Sequence, residues 1–336
     1  MGDQDHHSQQ SQDLPHVLVL YEHHIFNELQ RIYSHKFHFI LLPSSSSAPL
    51  DQFLTAHNYD PSSIRAAVGA YRPITADILG RLPSLGLLVT PSVGYNHIDL
   101  TECRRRGIKV ANVGTVLSED VADAAVGMFL DLMRKISAGD RYMRSMNISL
   151  ATTARNFPLG SKVRGKRVGI VGLGSIGLEI AKRLEAFGCI ISYNSRTQKS
   201  TVPYIFYSNV VELASSCDAL IICCPLNEQT RHIINRQVML ALGKEGVIVN
   251  VGRGALIDEK ELVKCLMEGE IGGAGLDVFE DEPNVPKELF DLDNVVLSPH
   301  TSAVTSESMR GVIEIVGENL EAFYSNKPLI TSVLFD

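Results

Sequence analysis

A short apolar strand that runs directly into three spaced glycines constrains this chain more than any other feature. In such a strand-turn-helix unit the first glycine allows a tight turn, the second lets the backbone approach a phosphate, and the third lets the helix pack against the strand. The free N–H groups at the start of that helix favour an anion. The segment therefore predicts a dinucleotide-binding α/β unit. The strand is Val168 to Val171, and the loop that follows is Gly172, Leu173, Gly174, Ser175, Ile176 and Gly177.

Composition restricts the class of protein. With 336 residues, 45% of them hydrophobic, the chain is long enough for two cores. The net charge of −7 argues against a nucleic-acid or anionic-membrane partner, and no apolar run is long enough for a membrane span. The six cysteines lie mostly in apolar segments without paired spacing, which favours reduced thiols in a cytoplasmic protein over disulfides or a metal site. Residues 1–13 are polar and are predicted to be a disordered tail.

Strands alternate with helices on both sides of the glycine loop, which predicts parallel sheets covered on both faces. We expect two Rossmann-like or flavodoxin-like domains with a cleft between them. One would comprise residues 14–116 plus 306–336, and the other residues 117–305. Predicted strands are 16–20, 37–42, 66–68, 86–90, 108–112, 189–194, 219–224, 247–251, 274–279 and 295–297. Helices are predicted at 25–33 and after Thr305.

A long helix is predicted from Ser118 to Arg144, with Ser118 as its N-cap. Its apolar residues spread over more than one face, which is typical of a helix that is buried on several sides. We therefore expect it to join the domains or to pack against a second subunit in a homodimer.

The second strand after the glycine loop indicates which cofactor binds. An acidic residue usually holds the ribose of NAD about 20 residues after the glycines, but this strand ends in Asn194, Ser195, Arg196 and Thr197. A guanidinium flanked by hydroxyl groups suits a 2′-phosphate. The sequence favours NADP(H), with NAD(H) as the alternative and with Arg196 as a solvated loop residue in that case.

Three downstream segments resemble the D-isomer-specific 2-hydroxyacid dehydrogenases. They are NVGRGALID from Asn250, GLDVFEDEP from Gly275 and LSPH from Leu297. The resemblance extends from about His16 over nearly the whole chain, and it is strongest to plant-type glyoxylate/hydroxypyruvate reductases and their hydroxyphenylpyruvate reductase relatives. It implies that the catalytic Arg, Glu and His are Arg253, Glu282 and His300.

The chemistry of reducing a 2-keto acid suits these three residues. Hydride delivered to C2 leaves an alkoxide that must be protonated, and histidine has a pKa near working pH. A carboxylate beside it, from Glu282, would orient the ring. Arg253 would pair with the substrate carboxylate and polarise the keto oxygen. Taken singly, a Pro-His pair, an acidic run and an arginine between glycines are each typical of ordinary loops.

The resemblance implies further binding residues. Asp277 would hold the nicotinamide carboxamide, Cys224 and Pro225 would line the adenosine side, and Val251 and Gly252 would approach the cofactor through their backbone. For the substrate, backbone N–H groups of Val93 and Gly94 would bind the carboxylate. Arg253 and His300 would face both cofactor and substrate, and Tyr71 and Arg72 are candidates for the mouth of the pocket.

Two departures from the family pattern concern the pocket. Ser302 stands where the family commonly has Gly, two residues after His300, and the chain has no Trp, so the pocket tryptophan of several glyoxylate reductases is missing. The expected activity is NADPH-dependent reduction of hydroxypyruvate and glyoxylate to glycerate and glycolate. A reductase of 4-hydroxyphenylpyruvate is the alternative enzyme, and a nucleotide-sensing binding protein is the alternative of another class. Formate dehydrogenase is disfavoured, because that branch has Gln in place of Glu282.

Overall fold

Hydrophobic strands and amphipathic helices alternate along the computed structural model, which describes residues 14–20, 24–43, 50–69, 72–145 and 157–333. The predicted disordered tail, residues 1–13, lies outside these ranges. The strands are β1 His16–Leu20, β2 His38–Leu41, β3 Ile64–Gly69, β4 Leu87–Val89, β5 Lys109–Ala111, β6 Arg167–Val171, β7 Ile190–Asn194, β8 Ile205–Phe206, β9 Ala219–Ile222, β10 Val247–Asn250, β11 Gly273–Leu276 and β12 Val295–Leu297.

The helices of the same ranges are α1 His24–Tyr33, α2 Leu50–Ala56, α3 Ala76–Gly80, α4 Leu100–Arg106, α5 Ser118–Arg134, α6 Ile136–Ser145, α7 Ser175–Ala186, α8 Val210–Ser215, α9 Arg236–Leu242, α10 Glu259–Met267 and α11 Ser306–Tyr324. Short 3-10 turns occur at Pro61–Ser63, Gly254–Leu256 and Lys287–Asp291.

The chain divides into two compact units. Unit 1 comprises Met1–Leu117 and Thr305–Asp336, and unit 2 comprises Ser118–Val304. The sequence predicts these boundaries one residue away, between residues 116 and 117 and between residues 305 and 306. Each unit contains its own parallel sheet, so the expected architecture of two parallel-sheet α/β domains is confirmed.

The sheet of unit 1 has the strand order β2-β1-β3-β4-β5, with every pairing parallel. This is the flavodoxin-like order, which reverses direction between β1 and β3. Val17, Leu18 and Val19 are fully buried, because helices cover both faces of a parallel sheet. Replacing a buried leucine such as Leu18 by alanine is expected to cost about 2–5 kcal/mol.

The segment after Thr305 completes unit 1. Asn319 of α11 is fully buried, and its side-chain oxygen accepts the backbone N–H of Ile330 at 3.1 Å. Its amide nitrogen donates to Thr331 Oγ1 at 3.0 Å, and Thr331 Oγ1 donates in turn to the carbonyl of Asn112. This chain of hydrogen bonds ties the C-terminal segment to the residue that follows β5.

The sheet of unit 2 has the order β12-β11-β10-β9-β6-β7-β8, again with every pairing parallel. The order reverses between β6 and β9, and ligands of open α/β sheets bind beyond the carboxyl ends of the strands at such a point. The glycine loop follows β6, so the topology places it at this reversal.

The structure corrects three details of the sequence interpretation. The helix predicted from Ser118 to Arg144 is two helices, because Lys135 adopts a left-handed φ of 55° and Asp131 accepts the backbone N–H of Ser137 at 2.8 Å at the start of α6. Ser118 is the first helical residue of α5 and not its cap, since its buried hydroxyl has no hydrogen-bond partner among the described residues.

The third correction concerns strand ends. β9 ends at Ile222 and β11 at Leu276, two and three residues before the predicted ends. The apolar residues beyond these ends belong to loops that pack into the core of unit 2, and Phe279 is 8% exposed. Burial alone does not distinguish a strand from a buried loop.

Candidate active site

The glycine loop has the geometry of a phosphate-binding turn. Gly172 has φ of 104°, and a Cβ there would lie 2.6 Å from the Cα of Cys224, so only glycine fits. A Cβ at Gly177 would lie 2.2 Å from the carbonyl oxygen of Gly172, whereas one at Gly174 would have no atom of a described residue within 4 Å apart from its chain neighbours. The middle glycine therefore borders open space at the start of α7, where it is the N-cap residue and has no side chain with which to cap the helix.

Strand β9 borders this loop. Cys223 Sγ lies 3.1 Å from the carbonyl oxygen of Gly172, and Cys224 and Pro225 come next in the chain. Burial raises the pKa of Cys224 to about 11 and shifts that of Cys223 upward as well. Both thiols are therefore protonated at neutral pH and act as packing groups rather than nucleophiles.

The loop after β7 carries the predicted 2′-phosphate contacts. Tyr193 is fully buried, and its hydroxyl accepts the backbone N–H of Lys199 at 2.7 Å, which fixes the far end of the loop. Arg196 is exposed and pairs with no carboxylate in the described part of the chain. The Ser195 hydroxyl donates to the carbonyl of Thr197 at 2.6 Å, so its proton is engaged within the loop itself.

Arg253 follows β10 in a turn that the side chain of Asn250 closes. The Asn250 amide donates to the carbonyl of Arg253 at 2.9 Å and accepts the N–H of Gly252 at 3.0 Å. Burial lowers the pKa of Arg253, and the charge of nearby Glu282 opposes that shift. The guanidinium group of Arg253 is therefore partly removed from water, and a carboxylate would bind it strongly there. Val251, two residues earlier, is also buried, with 7% of its surface exposed.

Asp277 organises the loop that carries His300. Its buried carboxylate, 2% exposed, accepts the hydroxyl of Ser298 at 2.6 Å and the backbone N–H of Thr301 at 2.9 Å. Its backbone carbonyl accepts the N–H of His300 at 2.8 Å. Asp277 therefore fixes residues on both sides of the histidine, a contribution that the motif alone did not reveal.

His300 and Glu282 form a hydrogen-bonded pair. His300 Nδ1 lies 2.8 Å from Glu282 Oε2, and Glu282 Oε1 accepts the backbone N–H of Phe279 at 3.0 Å. The histidine has a left-handed φ of 56°, a conformation that costs about 1–3 kcal/mol in a residue with a side chain and that concentrates at functional sites. Its side chain is 43% exposed. With Nδ1 directed at the carboxylate, Nε2 is the atom left for proton exchange.

A second group of charged residues supports the Glu282 turn. Glu280 accepts hydrogen bonds from Arg231 at 2.6 Å and from His232 Nε2 at 2.8 Å, while its backbone N–H donates to Glu259 at 3.0 Å. Burial raises the pKa of Glu259, and the charges of the neighbouring carboxylates add to the rise. The sequence interpretation missed these residues, because ordinary acidic and basic residues far apart in sequence carry no motif.

The Arg253 and Glu282 segments also pack directly against each other. A Cβ at Gly254 would lie 1.9 Å from the carbonyl carbon of Phe279, so glycine is required for this approach. The fold of unit 2 thus brings Arg253, Glu282 and His300 to the carboxyl ends of neighbouring strands β10, β11 and β12.

The predicted substrate loop lies after β4 in unit 1. The carbonyl of Ser92 accepts the N–H of Val113 at 3.4 Å, and the carbonyl of Val93 accepts the side-chain amide of Asn112 at 2.9 Å. Because a trans peptide directs its N–H opposite to its carbonyl, the N–H groups of Val93 and Gly94 point away from these partners. Arg72 is exposed, and Tyr71 lies outside the described residues.

The chain belongs to the family of D-isomer-specific 2-hydroxyacid dehydrogenases. The family model for the NAD-binding domain matches residues 126–302, which is more than half of the chain. The chain is an enzyme of this class, a parallel-sheet oxidoreductase with a dinucleotide-binding unit.

Individual relatives are more specific. The chain is 53% identical over 323 residues to the glyoxylate/hydroxypyruvate reductase HPR3 of Arabidopsis thaliana, covering 96% of this chain and 98% of that protein. It is 49% identical over 273 residues to the hydroxyphenylpyruvate reductase of Plectranthus scutellarioides, covering 81% and 86%. The crystal structure of an NADPH-dependent glyoxylate/hydroxypyruvate reductase of Sinorhizobium meliloti with NADP and malonate superposes with a TM-score of 0.85 at 32% identity, covering 96% and 97%.

Other features of the described ranges concern metals and membranes. Those residues include no group of three or more His, Cys, Asp or Glu side chains arranged for a metal ion. None of their helices is long and apolar enough to cross a membrane.

Proposed function

We propose that this chain reduces hydroxypyruvate and glyoxylate to glycerate and glycolate with NADPH. The observation that carries the proposal is the pair of His300 and Glu282, 2.8 Å apart, on the same sheet edge as the partly dehydrated Arg253 and the glycine loop. The names of the relatives support the substrates and the cofactor. The geometry supplies an acid, a carboxylate that orients it and a cation for an anionic substrate, which is the set that this reduction requires.

Each residue has a separate role in this proposal. His300 would carry the proton on Nε2 and give it to the substrate oxygen, while Glu282 holds Nδ1 and so sets the orientation of the ring. Arg253, together with the N–H groups of Val93 and Gly94, would bind the carboxylate of the keto acid. Tyr71 and Arg72 are proposed to border the pocket. When bound, the nicotinamide supplies the hydride.

The proposed cofactor site combines the glycine loop with the end of β7. Gly172 to Gly177 would hold the pyrophosphate, and the open space beside Gly174 supports this assignment. Cys224, Pro225, Val251 and Gly252 would line this cofactor site, and Asp277 would contact the carboxamide. Arg196 and Thr197 would bind the 2′-phosphate of NADP(H), whereas Ser195 would shape the loop through its bond to Thr197.

Arg196 provides the test of cofactor choice. In titrations with NADPH and NADH, the Arg196→Ala variant is expected to lose about tenfold to 150-fold in affinity for NADPH, since a charge-assisted contact of about 1.5–3 kcal/mol is removed. The affinity for NADH should stay nearly constant. Arg310→Ala, which removes another exposed arginine, is the control. Equal losses for both nucleotides would refute the 2′-phosphate role.

A second candidate substrate is 4-hydroxyphenylpyruvate, because one relative at 49% identity is a hydroxyphenylpyruvate reductase. Steady-state rates with NADPH on hydroxypyruvate, glyoxylate and 4-hydroxyphenylpyruvate decide between them, and we expect the highest kcat/KM on hydroxypyruvate. Nucleotide binding without turnover of any keto acid would instead point to a nucleotide-sensing protein.

We also propose that the protein is a homodimer of the cytoplasm. On α6, Ile136 is 59% and Met143 is 51% exposed, which is the kind of apolar surface that a partner covers. Light scattering should give the mass of two 36.9 kDa chains. The variant with Ile136→Asp and Met143→Asp should be monomeric, and Met267→Asp, at another exposed apolar position, should not. A monomeric wild type would contradict the dimer.

The cysteines support the cytoplasmic assignment. All six are free, and Cys103, Cys189, Cys217 and Cys265 are buried. Such thiols remain reduced in the cytoplasm, whereas an oxidising compartment favours disulfides. A fluorescent fusion followed in cells tests the location, and accumulation inside an organelle would contradict it.

A further inference from the structure

Ser302 carries a buried hydroxyl group that has no hydrogen-bond partner among the described residues. The residue is 9% exposed, and its backbone N–H donates to both carboxylate oxygens of Asp277 at 3.2 Å. The backbone alone therefore fixes its position, two residues after His300. A buried hydroxyl without a partner costs free energy, and alanine would fill nearly the same space without that cost.

The carboxylate of Asp277, which accepts the N–H of Ser302, can accept one more hydrogen bond on one of its oxygens. Oδ1 accepts the Ser298 hydroxyl at 2.6 Å, the Thr301 N–H at 2.9 Å and the Ser302 N–H. Oδ2 accepts only the shared N–H of Ser302 within the described ranges. A carboxylate oxygen has about two acceptor sites, so Oδ2 retains one for a donor that arrives from outside.

A free acceptor beside a free donor matches a primary carboxamide, which presents an NH2 group and a carbonyl oxygen side by side. NADP(H) contains one such group, on its nicotinamide ring. We propose that the Ser302 hydroxyl donates a hydrogen bond to the carboxamide oxygen of the nicotinamide, beside the contact to the carboxamide that the proposed function already gives to Asp277. This inference rests on the proposed function, because it requires NADP(H) as the cofactor.

Movement of the hydroxyl to this partner breaks no existing contact. A serine side chain occupies three staggered positions about its Cα–Cβ bond, and the present one provides no hydrogen bond among the described residues. Because Ser302 and His300 belong to one loop held by Asp277, the bond also sets the nicotinamide ring relative to the proton donor. Ser302 is thus a positioning residue that glycine at the same place could not replace.

The first experiment compares two nucleotides on one variant. NADPH and 2′-phospho-ADP-ribose, which lacks nicotinamide, are titrated by calorimetry, and NADPH also by its own fluorescence, since the chain has no Trp. Ser302→Ala is expected to weaken NADPH about fivefold to tenfold, where tenfold corresponds to about 1.4 kcal/mol, and to leave 2′-phospho-ADP-ribose unchanged. Ser118→Ala, which removes another buried hydroxyl without a described partner, is the matched control and should change neither.

The second experiment changes the nucleotide instead of the protein. In thionicotinamide NADPH a sulfur, which is a weaker acceptor, replaces the carboxamide oxygen. The wild type should prefer NADPH, and both Ser302→Ala and Ser302→Gly should lose most of that preference. A wild type without this preference would overturn the proposal, and that result needs no variant, so it holds even if a substitution impairs folding.

The outcomes separate the two proposals. Unchanged NADPH affinity in a folded Ser302→Ala variant overturns the role of Ser302, and so does an equal loss for both nucleotides or an undiminished preference over the thio analogue. A wild type that binds neither nucleotide contradicts the proposed function itself, and the inference about Ser302 with it.

Discussion

His300 shows how several weak constraints fix one side chain that we propose to be catalytic. Its left-handed backbone, with φ of 56°, is held by a hydrogen bond from its N–H to the carbonyl of Asp277 and by the side-chain contact to Glu282. His232 has a similar φ of 51° and also binds a glutamate, Glu280. The described part of unit 2 therefore contains two histidine–glutamate pairs: the proposed function uses His300 and Glu282 for proton transfer, whereas His232 and Glu280 support the Glu282 turn.

The two histidines give a matched test. His300→Gln is expected to lower kcat by about 10²–10⁴-fold, the range for loss of a general acid, and to change NADPH affinity far less than kcat. His232→Gln should keep most of the activity, because it removes a brace and not a reacting group. The measurement is steady-state reduction of hydroxypyruvate combined with NADPH titration. Full activity in His300→Gln would exclude it as the proton donor.

At the scale of elements, substitutions in the segment formed by β6, the glycine loop and α7 can affect either nucleotide binding or the stability of the fold, depending on their position. Gly177 lies where a Cβ would meet backbone at 2.2 Å, whereas Gly174 borders open space. The same chemical change at these two positions, three residues apart, therefore has different physical consequences.

Gly177→Ala should destabilise the protein by about 1–3 kcal/mol, the usual cost of overpacking. Gly174→Ala should leave the unfolding temperature nearly unchanged but weaken 2′-phospho-ADP-ribose and NADPH alike, because its methyl group occupies the proposed pyrophosphate position. Calorimetric unfolding and nucleotide titration on both variants check this. Unimpaired nucleotide binding by Gly174→Ala would contradict the assignment of the loop.

Element prediction from the sequence was accurate where a repeating pattern existed and inaccurate at ends. The strand at 295–297 was predicted with its observed bounds. The end of the helix that begins at Ser118 was predicted wrongly. The break at Lys135 depends on the hydrogen bond from the Ser137 N–H to the Asp131 carboxylate, and the spacing of apolar residues does not reveal such a bond. Loop residues such as Val278 and Phe279 are as apolar as strand residues, since they pack into the same core.

At the scale of the whole molecule, unit 1 contains a pH-sensitive contact at the amino ends of its strands. The rings of His16 and His38 lie 5.1 Å apart between centroids, and they bind Ser63 and Tyr59 respectively. Burial lowers the pKa of His16, and the charge of His38 lowers it further.

The sign of the pH effect follows from this shift. A histidine whose folded pKa lies below its unfolded value of about 6.5 contributes its full stability above that pH and loses it as the pH falls. Thermal unfolding at about pH 8 and about pH 5.5 should show a lower transition for unit 1 at the acid pH. His16→Gln should reduce the difference, and His57→Gln, which removes an exposed histidine, should not. An unchanged difference in His16→Gln would refute the linkage.

The sequence by itself determined the family, the two parallel-sheet units, the glycine loop and the identity of Arg253, Glu282 and His300 as candidates. The sheets and the glycine loop are local patterns that periodicity and spacing along the chain express, whereas the family and the three candidate residues are implied by the resemblance of short segments to that family. Only the tertiary structure decided what surrounds them. The loop-holding role of Asp277, the brace of Arg231 and His232 on Glu280 and the unpartnered hydroxyl of Ser302 all depend on residues that are distant in sequence. Contacts of that kind arise from the packing of strand ends, and no short stretch of sequence specifies them.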